Sequence, residues 1–311
     1  MSNPSEKRSV HPVITQAVVD GLDRLQLQPP ALDDVRATID NGEPVDERVH
    51  RALKRHLFDH GGPWASFDTG HHFGATTEHP LACLLTLSRS PSELVHRIRR
   101  LEPLLHLGNR TITTVGEREL RVTHHGNRGA NPTVGESLFV CGAQCGMLAR
   151  IGTRGIRAET TPGPTALRLW PKRTRSPWPR QSPSHVEAWT ITWASAPSAA
   201  PVTVTGVLAD DIRARITDQP EQPWTVSEVA RAFALSRRSL QRSLHHQHTE
   251  LRRLVLEGRL DAAQALLTRT DVPVSVIAYL CGFADSAHLA NVSRSLLGRT
   301  PTSIRQQTKT S

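Results

Sequence analysis

The chain has 311 residues, 37% of them hydrophobic and 22% charged, with four Cys and a formal net charge of +9. At about 150 residues per domain the length points to two domains, and no run approaches the roughly 18 apolar residues of a membrane span, which excludes a disulfide miniprotein and argues against a membrane protein. Residues 222–311 hold twelve Lys and Arg against six Asp and Glu, whereas residues 1–221 hold twenty-six against twenty-three, so two-thirds of the basic excess sits in the last 90 residues. That asymmetry predicts different partners for the two parts, an anionic one for the second.

The N-terminus, MSNPSEKRSVHPVITQ, carries neither an apolar signal core nor a small-residue cleavage site, so the expected location is the reducing cytoplasm, with the Cys as free thiols. VITQAVVDGLDRL places Val13, Ala17, Val18, Leu22 and Leu25 on one helical face, Pro29-Pro30 breaks that helix, and DERVHRALKRHLF places Val49, Leu53 and Leu57 on another. Ser90-Pro91-Ser92-Glu93 supplies an N-cap hydroxyl, a first-turn Pro and a Glu, predicting a helix from Pro91 with Leu94, Val95, Ile98, Leu101 and Leu105 toward a core and a kink or end at Pro103. RTITTV, Gly116-Glu117 and RELRVTH read as a hairpin with a two-residue type II′ turn. Thr133 and Glu136 form a capping box ahead of a helix striped by Val134, Leu138, Cys141, Cys145 and Leu148.

Residues 162–223 contain ten of the 22 prolines, yet EAWTITW alternates Trp189, Ile191 and Trp193 with polar positions, and PVTVTGVL alternates likewise. Strands joined by Pro-rich loops are expected, and with them an α+β domain over residues 1–210, helices on a mainly antiparallel sheet. Residues 211–223 read as a linker. After them comes an all-α domain, residues 224–311. Thr225 and Glu228 form another capping box before VSEVARAF, Ala234-Leu235 breaks the helix, and Ser236 caps RRSLQRSLHH, a helix-turn-helix candidate. A connecting helix, TELRRLVLEGRLDAAQALL, buries Leu251, Leu254, Leu260, Ala263 and Leu267. The arrangement then recurs as VSVIAYL, the break Cys281-Gly282-Phe283 and a helix from about Ser286.

The strings S-R-R-S-L-Q-R (Ser236 to Arg242), R-L-x-x-A-x-x-L-L (Arg259 to Leu267), I-A-x-x-x-G-F (Ile277 to Phe283) and G-x-x-P-x-x-x-R (Gly298 to Arg305) together resemble the AraC/XylS family of bacterial transcription regulators. The resemblance covers about 85 residues by several motifs, which a lone helix-turn-helix would not. More loosely, the helix at Pro91 to Leu105 and the hairpin after it are similar to the effector-binding domain of one branch of that family. The resemblance implies double-stranded DNA as partner, read in the major groove, with a small effector, a second copy of the chain and RNA polymerase as further partners and no cofactor.

In a helix-turn-helix the second helix presents its N-terminal half to base edges while its apolar side holds it on the first. Leu240 and Leu244 must then point inward, leaving Arg238, Gln241, Arg242 and His245 outward, with Arg237 and Arg253 for phosphates. Arg suits guanine and Gln adenine by bidentate bonding. In the second motif Ser286, Ala287, His288 and Asn291 are the candidates, with Arg294 on phosphate. Residues 249–267 form a connecting helix of about 28 Å, close to the roughly 34 Å turn of DNA that separates successive major grooves. Relative to the family, Asn291 replaces an Arg often used on DNA, and Ser293 stands where a buried Phe is usual, so a cavity or a hydrogen-bond partner is expected there and the second motif should read sequence more weakly.

Other residues invite competing readings. His71-His72, His124-His125 and His245-His246-x-His248 could suggest a metal, but adjacent His point apart on a helix or strand and no Cys-x-x-Cys accompanies them, so no metal site is expected. Cys141 and Cys145 read as buried thiols ahead of a redox or metal pair, and the Trp-rich strands as core ahead of a ligand pocket. The leading function is a sequence-specific DNA-binding regulator with an N-terminal effector or dimerisation domain, not an enzyme. Two alternatives are a DNA-binding module fused to an alkyl-transfer-like catalytic domain and a sensor whose degenerate second motif has lost DNA binding.

Overall fold

A computed structural model of the chain describes residues 9–10, 12–75, 85, 88–105, 108–126, 131–160, 166–179, 186–197, 207–270 and 272–309. These fall into two compact units, Met1–Ser198 and Ala199–Ser311. The first opens with β1 (Ser9–Val10), α1 (Pro12–Arg24), α2 (Leu32–Asp40), β2 (Val45–Asp46), α3 (Glu47–Gly61) and α4 (Pro63–Ala75), β1 pairing antiparallel with β2. In α1 the periodic face buries Ala17, Val18 and Leu22, whereas Leu25 lies just beyond the last turn and is exposed; the Val13 side chain lies outside the described residues. Asp46 caps α3 by accepting the Arg48 N–H at 2.8 Å, and His50 joins Leu53 and Leu57 on the buried face while Val49 stays half-buried. The buried His50 bonds Thr15 of α1 through Nδ1 at 2.9 Å, which answers its polar-burial cost.

Helix α5 (Pro91–Leu105) starts where the Ser90 hydroxyl accepts the Glu93 N–H, and it continues past Pro103 to Leu105. Leu94, Val95 and Leu101 are buried and Ile98 is half-buried, while the Leu105 side chain lies outside the described residues. A five-stranded antiparallel sheet follows in the order β3 (Asn109–Val115), β4 (Glu119–Gly126), β7 (Ala188–Thr192), β5 (Arg157–Thr160), β6 (Arg168–Trp170). The hairpin differs from expectation. Val115 pairs with Leu120, and the Gly116 N–H donates to the Glu119 carbonyl at 2.8 Å, so Glu117-Arg118 is the turn and Gly116 ends the strand. Slipping an antiparallel register by two residues leaves every side chain on its own face, so alternation could not tell these pairings apart. Both sheet edges are capped by side chains. On β3, Glu102 accepts the Thr111 N–H at 2.7 Å and Arg99 donates to the Thr113 carbonyl; on β6, the Ser176 hydroxyl accepts the Arg168 N–H at 3.0 Å. Edges closed this way do not template further strands.

Helix α6 (Val134–Arg150) is the centre of this unit, with 14 of its 17 residues buried, so it is covered all round, beyond the single stripe expected. Thr133 and Glu136 form the predicted capping box. Toward the sheet, Gln144 accepts the Trp189 indole N–H at 2.9 Å and Ser137 bonds His124 Nδ1 at 3.1 Å. Trp189 and Trp193 are therefore core residues. Toward α4 the two backbones nearly touch. A Cβ at Gly70 would lie 1.9 Å from the Phe139 carbonyl oxygen, at Gly74 2.1 Å from that of Ala143, at Gly142 2.1 Å from that of Phe67, and at Gly146 2.2 Å from that of His71. Four glycines, one turn apart on each helix, fix this approach.

The C-terminal unit begins earlier than the expected linker. Residues 201–206 of PVTVTGVL lie outside the described residues, but Leu208 already belongs to α7 (Leu208–Asp218), which takes up most of residues 211–223. Its Ile212 and Ile216 are buried in one cluster with Val229, Ala230, Leu240, Leu244 and Leu254, and Arg213 forks onto Asp261 at 2.6 and 2.8 Å. Burial of two Ile, about 1.5–3 kcal/mol each, explains why this stretch folds onto the unit. Then come α8 (Val226–Ala232), α9 (Arg237–His246), α10 (Leu251–Arg269), α11 (Val274–Leu280), α12 (Ser286–Leu297) and α13 (Pro301–Lys309). The observed architecture is thus helices with a five-stranded antiparallel sheet, followed by a helical unit. No helix among the described residues is long and apolar enough to cross a membrane.

Candidate nucleic-acid interface

The site is built on the pair α8 and α9. Thr225 and Glu228 cap α8 reciprocally, and the two Thr225 donors hold the Glu228 carboxyl below the ordinary carboxylate range. The turn to α9 needs one left-handed residue. Ala234 takes it at φ +53°, which lets the Leu235 N–H return to the Ala230 carbonyl at 2.8 Å. Ser236 then caps α9, accepting the Ser239 N–H at 3.0 Å. Leu240 and Leu244 are buried, at 0% and 3% exposure, and this locks the helix about its axis. Arg237, Arg238, Gln241, Arg242 and His245 are all exposed on the other side.

The second pair repeats the plan with differences in detail. Gly282 holds the left-handed position at φ +78°, and the Phe283 N–H returns to the Ala278 carbonyl at 2.9 Å. Asp285 caps α12 by accepting the His288 N–H at 2.7 Å. Ser286, Ala287, Asn291 and Arg294 are exposed. His288 is half-buried instead. Its ring stands edge-on to Phe283 with centroids 5.3 Å apart, and its Nδ1 accepts the Ala284 N–H at 3.4 Å. Asn291 Oδ1 accepts from Arg294 at 2.7 Å, so two of the candidates meet each other. Ser293 has a hydrogen-bond partner: fully buried, its hydroxyl donates to the Arg299 carbonyl at 2.6 Å.

Helix α10 joins the pairs. Its 19 residues span about 28 Å, and Leu254, Leu260, Ala263 and Leu267 are buried with Leu251 half-buried. Arg253, expected on phosphate, donates through Nε to Glu257 at 2.8 Å, which offsets part of its charge. Sequence reasoning does not single out Arg231 and Arg252, both exposed, because a cation with no cap or break around it carries no positional signal. Nor does it foresee Arg259, which ties the unit together by donating to the Pro220 and Gln222 carbonyls at 2.8 and 3.2 Å.

The residues with competing readings are placed as follows. Cys141 and Cys145 are buried free thiols, and burial pushes the Cys141 thiol well above its ordinary range, which leaves it unreactive. His71 stacks on Trp170, His124 is buried against Ser137, and His125 is exposed beside Thr123. No group of three or more His, Cys, Asp or Glu is placed to hold a metal among the described residues.

A family described as "Helix-turn-helix domain" matches residues 229–307. Among curated proteins, the urease operon transcriptional activator of Escherichia coli is 30% identical over 96 residues, 31% of this chain and 32% of that protein. The HTH-type transcriptional activator RhaS of Escherichia fergusonii is 45% identical over 80 residues, 25% of this chain and 28% of that protein. The chain thus spans about a third or less of the curated relatives it matches. Among solved structures, a transcriptional regulator of Chromobacterium violaceum, described with AraC-type DNA-binding domain proteins, is 26% identical with a TM-score of 0.31, covering 32% of this chain and 91% of its own. The regulator CdpR of Pseudomonas aeruginosa is 16% identical with a TM-score of 0.35, covering 94% and 98%. The matched segment runs from the core of α8 through the cap and buried leucines of α9 and past α12 into α13, so residues 229–307 of the C-terminal unit are similar to a helix-turn-helix domain.

Proposed function

We propose that the chain is a sequence-specific DNA-binding transcription regulator in which α8–α9 and α11–α12 act as two helix-turn-helix readers of double-stranded DNA, α9 and α12 entering successive major grooves. One observation carries the reading: on α9, two buried leucines fix the rotation that turns Arg238, Gln241 and Arg242 outward together. These are the side chains that bond guanine and adenine edges in pairs. Arg237 and Arg294 serve phosphates. Ser286, Ala287, His288 and Asn291 contribute less discrimination, because His288 and Asn291 are already engaged locally. This differs from a sensor that has lost DNA binding, since α9 is complete by itself.

The N-terminal unit, on this reading, receives a small effector or a second copy of the chain, RNA polymerase is the eventual partner at a promoter, and the protein acts in the cytoplasm without a cofactor or a reaction of its own. The relatives bear the names of activators, which supports regulation over catalysis. A gel-shift survey of genomic fragments upstream of the chain's own gene is the test. Retarded fragments sharing one sequence support the reading, and affinity that falls steeply with salt supports phosphate contacts. Equal retardation of every fragment would reduce it to charge alone.

A further inference from the structure

Helix α4 presents Trp64, Phe67, Asp68 and His71 at positions i, i+3, i+4 and i+7, one helical face. Strand β6 brings Trp170 against it, stacked on His71 with centroids 4.2 Å apart, and Trp178 stands edge-on to Trp64 at 5.5 Å. Into this box closes the side chain of Arg175, which is 8% exposed. Its Cζ lies 4.9 Å from the ring centroids of both Trp64 and Phe67 and 5.8 Å from that of Trp170. Both terminal nitrogens bond the Asp68 carboxylate, Nη1 at 3.2 Å, and Nε donates to the Leu169 carbonyl at 3.0 Å. Aromatic faces, a carboxylate fork and a carbonyl are the complete chemistry for recognising a planar guanidinium.

The walls of the box and its occupant have different origins. Trp64, Phe67 and Asp68 stand on a helix packed by backbone contact against α6, and Trp170 ends a strand. Arg175 comes from the irregular strap after the short 3₁₀ turn Lys172–Thr174, where Lys172, Arg173 and Thr174 are exposed. The box also opens to solvent, with the Asp68 side chain 38% exposed and Trp64, Trp170 and Trp178 half-buried. A second cation, Lys172, lies 3.5 Å from Asp68 and keeps the carboxylate paired if Arg175 leaves.

We propose that this box is a binding site for a small molecule bearing a guanidinium group, and that Arg175 is the internal competitor such a ligand displaces, releasing the strap. A quaternary ammonium has no N–H for the Asp68 fork or the Leu169 carbonyl, and a primary ammonium has no plane to lay on Trp64 and Phe67, so both are poorer occupants. The proposal rests on the regulator reading only for what the ligand would control. Binding itself is measured without DNA.

The test is titration calorimetry of the full chain with agmatine, and with choline as the comparison, on the wild type, Arg175→Met and Arg175→Met/Trp64→Leu. Removing the competitor should tighten agmatine binding at least tenfold over wild type, the added Trp64→Leu should reverse most of that gain, and choline should bind none of the three measurably. Circular dichroism confirms that each variant is folded. Arg175→Lys, which keeps the charge and loses the fork, should also bind agmatine more tightly than wild type and serves if Arg175→Met does not fold. Agmatine binding no tighter in a folded Arg175 variant than in wild type, or unaffected by Trp64→Leu, overturns the site. Failure of both Arg175 variants to fold overturns it too, because a box that cannot stand without its own arginine cannot exchange it for a ligand.

Discussion

The two helix pairs of the C-terminal unit put different residues at the same left-handed turn, and this gives two substitutions with opposite outcomes. Ala234 holds φ +53° and is exposed, whereas Gly282 holds φ +78° beneath Arg259. An L-residue in this region costs about 1–2 kcal/mol, and glycine gives back about 0.5–1 kcal/mol through its looser unfolded chain. Since Ala234 is exposed and has little burial for glycine to lose, Ala234→Gly should stabilise the unit by about 0.5–1 kcal/mol. At the other turn a Cβ would stand 2.6 Å from the Pro220 carbonyl oxygen and 2.7 Å from Arg259 Nε, forcing apart the bond by which Arg259 holds Pro220. Gly282→Ala therefore adds to the left-handed cost the loss of that bond, about 1.5–3 kcal/mol for a charged donor, and should cost about 2–4 kcal/mol in all. The measurement is urea and thermal unfolding of Ala199–Ser311, followed by the fluorescence of Trp224, the only tryptophan in that segment. At roughly 4–8 °C per kcal/mol for a unit of this size, the two variants should melt on opposite sides of the wild type. A destabilised Ala234→Gly, or a neutral Gly282→Ala, would refute the reasoning that one backbone conformation is tolerated at the first turn and required at the second.

Arg238→Ala and Arg242→Ala should each cost about 1–3 kcal/mol on the specific DNA site and little on random DNA, while Asn291→Ala should cost less; binding titrations on both DNAs decide, and a larger loss at Asn291 would reverse the ranking of the two readers. Gly142→Ala should destabilise the N-terminal unit by about 1–3 kcal/mol or more through overpacking, despite alanine's better helix propensity, because its Cβ would meet a backbone carbonyl at 2.1 Å; a melting temperature at or above wild type would show that α4 can move away. Burial raises the Glu102 carboxyl above the ordinary carboxylate range, against the lowering by Thr111's two donors, so its contribution is fully present at acid pH and is lost as pH rises through the raised value. Glu102→Gln should remove that part of the pH dependence in denaturant melts recorded from pH 4 upward, and an unchanged profile would exclude Glu102 as its source. Ser293→Phe should lower the melting temperature, since it removes the 2.6 Å bond to the Arg299 carbonyl and forces a ring into a fully buried position; a higher temperature would reveal space beside Ser293.

Much of the fold could be read where a rule is local. The capping boxes at Thr133 and Thr225 and the caps at Ser90 and Ser236 start helices as expected, because each satisfies backbone donors within four residues. What escaped depends on distant partners. Helix α4, PWASFDTGHHFGA, has the composition of a loop, and its glycines are explained only by the carbonyls of α6 lying against them. Helix α7 was hidden by the Pro-rich stretch around it and by the alternation of PVTVTGVL, although Ile212 and Ile216 supply the helical stripe once the first pair's core is there to receive it.

The placement of the candidate side chains was legible in the first pair and less so in the second, for the same physical reason. On α9 the outward side chains are long, and the helix is fixed by caps and buried leucines that sequence spacing reveals directly. On α12 the outcome turns on how side chains share acceptors among themselves. A hydroxyl in an apolar position signals either a void or a partner, and only the chain's return at Arg299 decides for the partner. Likewise Asn291 and Arg294, three residues apart on one helix, are neighbours by geometry, so each is the other's nearest competitor for DNA. To reach a base, Asn291 must share its Oδ1 with Arg294, keeping one lone pair and its two amide N–H groups, whereas Arg294 keeps the bond and offers its remaining N–H groups to a phosphate. On the proposed reading this pair weights α12 toward an anchoring role on the DNA backbone beside a base-reading α9, a division of labour that the Arg238, Arg242 and Asn291 substitutions test.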